Sequence, residues 1–185
     1  MFEILVAAIF TIIIVNVSLL WVKIFLLVLL VLLILPGVYA MCSGAPFVPS
    51  LKNAIDAMFK LGNFGENDVV YELGCGDGRI IRKVAEKGVK KAVGYEYSIP
   101  TCFFAKLMSI FEGKGEKIIF ANFWKKDYRD ADAIICFLQK DTMVKFKKVI
   151  WKQLKNGARV LSNYFPIPGV QHALKEGSVY YYVKK

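Results

Sequence analysis

An almost unbroken run of Ile, Leu, Val, Phe and Ala extends from Ile4 to Ala40 and constrains the fold of this chain more than any other feature. One membrane crossing needs about 20 apolar residues, so the run predicts a transmembrane segment. As one straight helix it would be about 55 Å long, against roughly 30 Å of bilayer hydrocarbon. A long tilted helix and a helical hairpin both fit the run, because a more polar cluster interrupts its middle, at Asn16, Ser18, Trp21 and Lys23.

The composition changes sharply near residue 41. Of the 25 Lys and Arg and the 15 Asp and Glu in the chain, only Glu3 and Lys23 fall within the first 40 residues, so the remainder carries the whole net charge of +10. Basic residues beside a membrane segment are typical of the cytoplasmic side, and a basic surface also attracts phosphates, anionic lipids or acidic proteins. We therefore predict a membrane anchor over residues 1–40 and a second domain over 41–185 that faces the cytoplasm, with the lipid bilayer as a partner and no specific nucleic acid.

From residue 50 onward, β-rich runs alternate with helical stretches, which is typical of an α/β domain around a mainly parallel sheet. Ser50 can cap a first helix that continues to Leu61. The last twenty residues predict an antiparallel pair, with strands at 169–174 and 178–183 joined at Glu176-Gly177. The other predicted strands are 68–73, 91–97, 117–123, 132–138 and 159–165, and the other predicted helices are 78–87, 100–111 and 142–154.

The cysteines contain no CxxC pair and fall in different predicted elements. Such spacing favours reduced, buried thiols in a domain that faces the cytosol, and we predict no metal site. The four residues are Cys42, Cys75, Cys102 and Cys136.

The first predicted strand ends directly on a glycine-rich turn, Gly74-Cys75-Gly76-Asp77-Gly78, and a helix follows. Glycine is required where the backbone takes positive φ or touches a ligand, and the start of a helix offers N–H groups to an anion. Dinucleotide folds hold a pyrophosphate with GxGxxG, whereas this turn reads GxGxG and has an acid, Glu72, two residues before it. The motif therefore favours a ligand that carries both a cation and an anion.

The next two strand ends add an acid and an amide, which together indicate S-adenosylmethionine (SAM). SAM carries an ammonium, a carboxylate and a sulfonium, so Glu72 can accept from the ammonium while N–H groups of the turn face the carboxylate. Glu96 can bind both ribose hydroxyls, and Asn122 can bind the adenine edge with Phe123 covering the ring. The predicted cofactor site comprises Glu72, Gly74, Cys75, Gly76, Asp77, Gly78, Glu96, Asn122 and Phe123.

Two segments carry a family resemblance, residues 44–50 (GAPFVPS) and 70–80 (VYELGCGDGRI). The sequence resembles a protein lysine methyltransferase family that includes the mitochondrial ATP synthase c-subunit and adenine nucleotide translocase lysine N-methyltransferases and the archaeal broad-specificity lysine methyltransferase. The resemblance implies a Rossmann-like class I SAM-dependent methyltransferase fold, a protein lysine side chain as substrate, and a segment from Pro46 to Ser50 beside the active site. The N-terminal anchor is similar to that of the mitochondrial members.

The acceptor side of the site is less defined by sequence. Strand four ends in Cys136-Phe137-Leu138-Gln139, without the Asn-Pro-Pro-Tyr motif of enzymes that methylate amide or adenine nitrogens. No residue is assigned as a catalytic acid or base, and each candidate for the substrate channel also fits an ordinary core position. A lipid or small-molecule substrate stays open as an alternative to lysine. The substrate candidates are Val48, Pro49, Phe137, Leu138, Asn163 and Tyr164.

Overall fold

The computed structural model describes residues 2–16, 19–42 and 50–185 of the chain. Six helices and seven strands are formed there, and a 3-10 turn at Phe123–Lys125 follows the third strand. The helices are α1 (Phe2–Asn16), α2 (Leu20–Cys42), α3 (Lys52–Gly62), α4 (Arg79–Ala85), α5 (Ile99–Glu112) and α6 (Lys140–Val149). The strands are β1 (Val69–Leu73), β2 (Lys91–Glu96), β3 (Lys117–Phe120), β4 (Ala133–Cys136), β5 (Arg159–Asn163), β6 (Leu174–Glu176) and β7 (Val179–Val183).

All seven strands form one sheet in the order β3-β2-β1-β4-β5-β7-β6. The pairs from β3 to β5 are parallel, whereas β7 pairs antiparallel with both β5 and β6. The predicted α/β fold with a mostly parallel sheet and an antiparallel C-terminal strand is therefore confirmed. The strand order reverses at β1, which has β2 on one side and β4 on the other, and such a switch point opens a crevice at the carboxyl ends of the strands.

The sheet has a hydrophobic core on each face. One core packs beneath α6 and includes Phe146, Ile150 and Tyr182. The other packs beneath α3, α4 and α5 and includes Met58 and Ile81. All five residues of β1 are buried, as expected of a central parallel strand that is covered on both faces.

Several local predictions differ from the structure, and two of them concern the first helix and the final strand pair of the α/β domain. Ser50 does not cap α3, because Leu51 occupies the N-cap position and makes no side-chain cap hydrogen bond. The first strand of the final pair lies at Leu174–Glu176 rather than 169–174, because Gly169 adopts φ +63° and the Val170 N–H closes a turn onto the Ile167 carbonyl.

The apolar N-terminal segment forms two helices, α1 and α2, rather than one continuous helix. The two helices contact each other, and both contact α5 of the α/β domain. Across the described residues, no helix combines the length and apolar character that a membrane crossing requires, so the predicted transmembrane segment is not confirmed.

Candidate active site

The glycine-rich turn connects β1 to α4 at the switch point of the sheet. Gly74, Gly76 and Gly78 adopt φ values of +71°, +57° and +77°, a region that side chains with a Cβ rarely enter. The N–H groups of Gly74 and Cys75 donate to the Tyr95 carbonyl at 2.9 and 3.0 Å, which binds the turn to β2. The backbone conformation therefore favours glycine at these three positions.

Close packing adds a second constraint at Gly78. A Cβ at this position would lie 3.1 Å from the Arg82 Nη1 and 3.1 Å from the Ile118 Cδ1. These distances are shorter than ordinary van der Waals contacts, so the neighbouring side chains would have to move. Gly78 thus allows the turn, α4 and β3 to approach one another.

The side chains of the other two residues of the turn are buried or already paired. Cys75 is buried, its thiol is reduced, and burial raises its pKa well above the ordinary value, so it remains a neutral core group. Burial would also raise the pKa of Asp77, but hydrogen bonds from the Arg79 side chain and N–H lower it below the ordinary value. Asp77 therefore carries a negative charge that Arg79 already pairs.

Cys102 and Cys136 are also free and buried, as predicted from their spacing. Burial raises the pKa of Cys136 to about 12. The Cys42 side chain lies outside the described residues.

Glu96, at the carboxyl end of β2, binds the glycine turn directly. Its Oε2 accepts from the Gly76 N–H at 3.0 Å, and its Oε1 accepts from the Tyr97 and Ser98 N–H groups at 2.8 Å each. A carboxylate has about four acceptor sites, so these bonds use most of its capacity. Glu96 holds the turn in shape, and its predicted contact with ribose stays a prediction.

Glu72 lies in the interior below the turn, with 5% of its surface exposed. Burial raises the pKa of its carboxyl well above the ordinary value, and the Ile81 N–H at the start of α4 offsets this only in part. Its Oε2 makes no hydrogen bond within the part of the chain that the structure describes. A buried acceptor without a partner is costly, and a bound ammonium would supply the missing donor.

The predicted adenine contacts lie after β3. Asn122 is half-buried, and its side-chain oxygen accepts from the Trp124 N–H at 3.0 Å, which begins the 3-10 turn. Phe123 is buried, and its ring lies 4.6 Å from that of Trp124. Phe123 thus belongs mainly to the core, and the ring of Trp124 is the more accessible of the two. The Nε1 of Trp124 is buried and has no partner among the described residues.

Sequence reasoning missed an aromatic pair at this edge of the sheet. The rings of Tyr97 and Phe120 are parallel within 1°, with centroids 5.4 Å apart. Tyr97 directly follows Glu96, and Phe120 ends β3, so the pair lies beside the carboxylate that holds the turn. The aromatic residue immediately after the acid of β2 is the sequence signal for this pair.

Two predicted substrate residues meet on the other side of the switch point. Phe137 follows β4 and Tyr164 follows β5, and their ring centroids lie 6.2 Å apart at 28°. Tyr164 is 64% exposed and adopts φ +71°, which is rare for an aromatic residue and is often associated with functional sites. Leu138, by contrast, is fully buried in the core beneath α6 and does not reach this surface.

Asn163 connects this region to the start of the α/β domain. The residue is buried at the end of β5, its Oδ1 accepts from the Ser178 hydroxyl at 2.8 Å, and its Nδ2 donates to the Ser50 Oγ at 3.3 Å. Ser50 therefore lies beside the carboxyl end of β5. Val48 and Pro49, which precede it, lie outside the described residues.

The sheet order, the glycine turn at the switch point and the acids of the first two strands define a class I SAM-dependent methyltransferase. The chain belongs to the family described as the ANTKMT methyltransferase domain, which matches residues 72–174.

Similar proteins agree with this assignment. A protein-lysine N-methyltransferase of Saccharolobus islandicus is 34% identical over 129 residues, covering 67% of this chain and 79% of the relative. The human ATP synthase c-subunit lysine N-methyltransferase is 29% identical over 66% of this chain, which spans only 53% of that protein. The structure of an RNA methyltransferase from Salinibacter ruber in complex with S-adenosyl-L-homocysteine (SAH) has a TM-score of 0.69 at 26% identity, covering 74% of this chain and 94% of that one.

The residues of the site fit SAM, the cofactor of this enzyme class. The orphaned Glu72 Oε2 suits its ammonium, and Gly74 presents no side chain at the exposed start of the turn, whereas the Gly74, Cys75 and Gly76 N–H groups already donate to Tyr95 and Glu96. Tyr97 and Asn122, at the ends of β2 and β3, would contact the adenosine. When bound, SAM supplies a methyl group on a sulfonium, which makes the methyl carbon electrophilic.

Proposed function

We propose that this chain is a protein-lysine N-methyltransferase that acts on membrane or membrane-associated proteins. The Phe137–Tyr164 pair, beside the switch point where SAM binds, carries the proposal. The two rings, inclined at 28° with centroids 6.2 Å apart, present apolar faces that suit the long apolar stem and the amine of a lysine. The relatives named for lysine methylation support the same acceptor.

The reaction needs alignment more than chemical catalysis. The lysine nitrogen attacks the methyl carbon in line with sulfur, the carbon–sulfur bond breaks, and SAH leaves with its electron pair. The amine must first lose a proton to water, which costs about 4.6 kcal/mol at pH 7 for a pKa near 10.4. An apolar, aromatic channel lowers this cost because it disfavours the charged ammonium. Phe137 and Tyr164 are the residues placed to form a wall of that channel.

The N-terminal helices support a membrane location. Trp21 is 80% exposed and Phe25 is 66% exposed, and large apolar side chains are exposed along much of α2. Such surfaces are stable against lipid rather than water. In the proposed arrangement the helices hold the enzyme on the bilayer, and the basic α/β domain faces the cytoplasm.

A second candidate is a methyltransferase of a lipid or small molecule at the membrane. The contacts of α1 and α2 with α5 favour it, because they would keep the domain at the bilayer, where lipid headgroups are the most abundant acceptors. The Phe137–Tyr164 pair does not require a protein substrate, so an experiment must separate the two candidates.

Tritiated SAM with the full-length enzyme and a membrane extract tests the proposal. We expect label in the protein fraction, released as methylated lysine after hydrolysis, with a Gly78→Val variant as the inactive control. Label confined to lipid would establish the second candidate instead. Label confined to RNA would contradict both.

A further inference from the structure

Helix α5 is apolar on both of its sides. Its inner side packs on β2, β3 and α4 through small and medium residues, Thr101, Cys102 and Ala105, all of which are buried. Its outer side exposes large apolar residues at helical spacing. These residues form the α5 patch, and their exposures are Phe103 67%, Leu107 39%, Ile110 76% and Phe111 77%.

A helix that is apolar all round is normally covered on both sides. In this structure α1 and α2 already contact α5, and the α5 patch stays exposed with both helices in place. Packing against α1 and α2 therefore does not explain why the outer side of α5 is apolar. Another apolar medium must cover it.

The α5 patch lies on a helix that contacts α1 and α2, and those two helices also expose large apolar side chains. A second protein molecule that covered α5 alone would leave side chains such as Trp21 and Phe25 in water. A lipid bilayer covers both surfaces at once, because the three helices contact one another. The contacts among these three helices thus favour lipid over a protein partner as the cover of the α5 patch.

Charge around the α5 patch fits the surface of an anionic membrane. Lys106 is exposed between Phe103 and Leu107, and Lys114 and Lys117 are exposed just beyond the end of the helix. Two acids lie at this end of the helix: Glu112 is paired with Arg82 at 3.4 Å, and Glu116 accepts from the Ser109 hydroxyl and the Lys114 N–H. An apolar face with a lysine rim is the pattern of helices that lie in the membrane interface, where nearby lysines are attracted to anionic lipid.

We propose that the outer side of α5 is a membrane-contacting surface, with lipid covering Phe103, Leu107, Ile110 and Phe111 beside α1 and α2. This inference rests on the proposed membrane association and deepens it, because α5 would fix the orientation of the catalytic domain. Helix α5 begins three residues after Glu96, so the SAM-binding edge would lie near the bilayer surface. Acceptor lysines would then be those close to the membrane.

Photo-crosslinking of the full-length chain tests the inference. A benzophenone amino acid replaces Phe103 or Phe111 in the full-length enzyme, which is bound to vesicles of phosphatidylcholine and phosphatidylserine. The matched control carries the same probe at Val144, which is 44% exposed on α6, on the opposite face of the sheet. Methylation of a free lysine peptide in the same samples shows that each labelled enzyme is folded.

We expect lipid adducts at positions 103 and 111 and none above background at 144. Adducts to a second copy of the chain, adducts to another protein segment, or no adducts at 103 and 111 would each overturn the inference. Flotation of the vesicles distinguishes failure of the α5 inference from failure of the proposed membrane association. An enzyme that floats without α5–lipid adducts refutes only the α5 contact, whereas an enzyme that does not float refutes membrane association itself.

Discussion

Replacing Glu96 with Gln tests whether this carboxylate holds the glycine turn. Its three backbone hydrogen bonds come from Gly76, Tyr97 and Ser98, at 3.0, 2.8 and 2.8 Å. In the Gln variant, the amide oxygen can keep the Tyr97 and Ser98 N–H groups. The amide nitrogen then faces the Gly76 N–H, and two donors cannot bond to each other.

The expected cost follows from this single lost bond. Gly76 is buried, and a buried N–H without an acceptor costs about 1–3 kcal/mol. For a chain of this size, that cost lowers the melting temperature by about 3–10 °C. SAH affinity should fall as well, because the turn no longer rests in its binding conformation.

Thermal unfolding in mild detergent and calorimetry with SAH give the two measurements. Glu116→Gln is the matched control, because Glu116 also accepts from a backbone N–H and a hydroxyl, of Lys114 and Ser109, but lies outside the site. The control should lose little stability and no SAH affinity. An unchanged melting temperature and affinity for Glu96→Gln would refute the claim that this carboxylate positions the turn.

Four further outcomes are expected. Gly78→Ala and Gly88→Ala both place a side chain at positive φ, but only the Cβ at Gly78 meets neighbours within 4 Å, so calorimetry should show weaker SAH binding for Gly78→Ala alone. Because burial raises the pKa of Glu72 in the folded state, the free energy of unfolding of the wild type falls as pH rises from the ordinary carboxyl pKa through the folded-state pKa. Glu72→Gln cannot ionise, so its free energy of unfolding in urea should exceed that of the wild type by more as pH rises. Its SAH affinity should fall. Tyr164→Ala should lower kcat/KM for a lysine peptide about two- to tenfold with SAH affinity unchanged, whereas Tyr164→Phe keeps the ring and should resemble the wild type. Deleting residues 1–40 should reduce methylation of a membrane protein far more than that of a free protein by site-resolved mass spectrometry, and an equal loss on both would show that the N-terminal helices support the active site itself.

Short-range patterns predicted most elements within a few residues. The helix α5 was expected at 100–111 and lies at Ile99–Glu112, where Ser98 accepts from the Thr101 N–H as its cap. Strand β3 was expected to continue to 123 but ends at Phe120, because the Asn122 side chain bonds to the Trp124 N–H and starts a 3-10 turn. A local side-chain bond of this kind competes with strand pairing, and periodicity alone does not detect it.

Sequence by itself determined the fold class and the position of the cofactor motif. Both depend on neighbours along the chain: strand periods, and glycines at GxGxG, whose positive φ values are confirmed at Gly74, Gly76 and Gly78. Only the tertiary structure decided what the side chains contact. It placed Glu96 under the Gly76 N–H and left Leu138 in the core, and it brought Phe137 to Tyr164 and Asn163 to Ser50. These contacts join residues that are distant in sequence. Those of Glu96 and Phe137 form because parallel strands bring their carboxyl ends to one edge of the sheet, and that of Asn163 forms because the segment before α3 packs beside the end of β5.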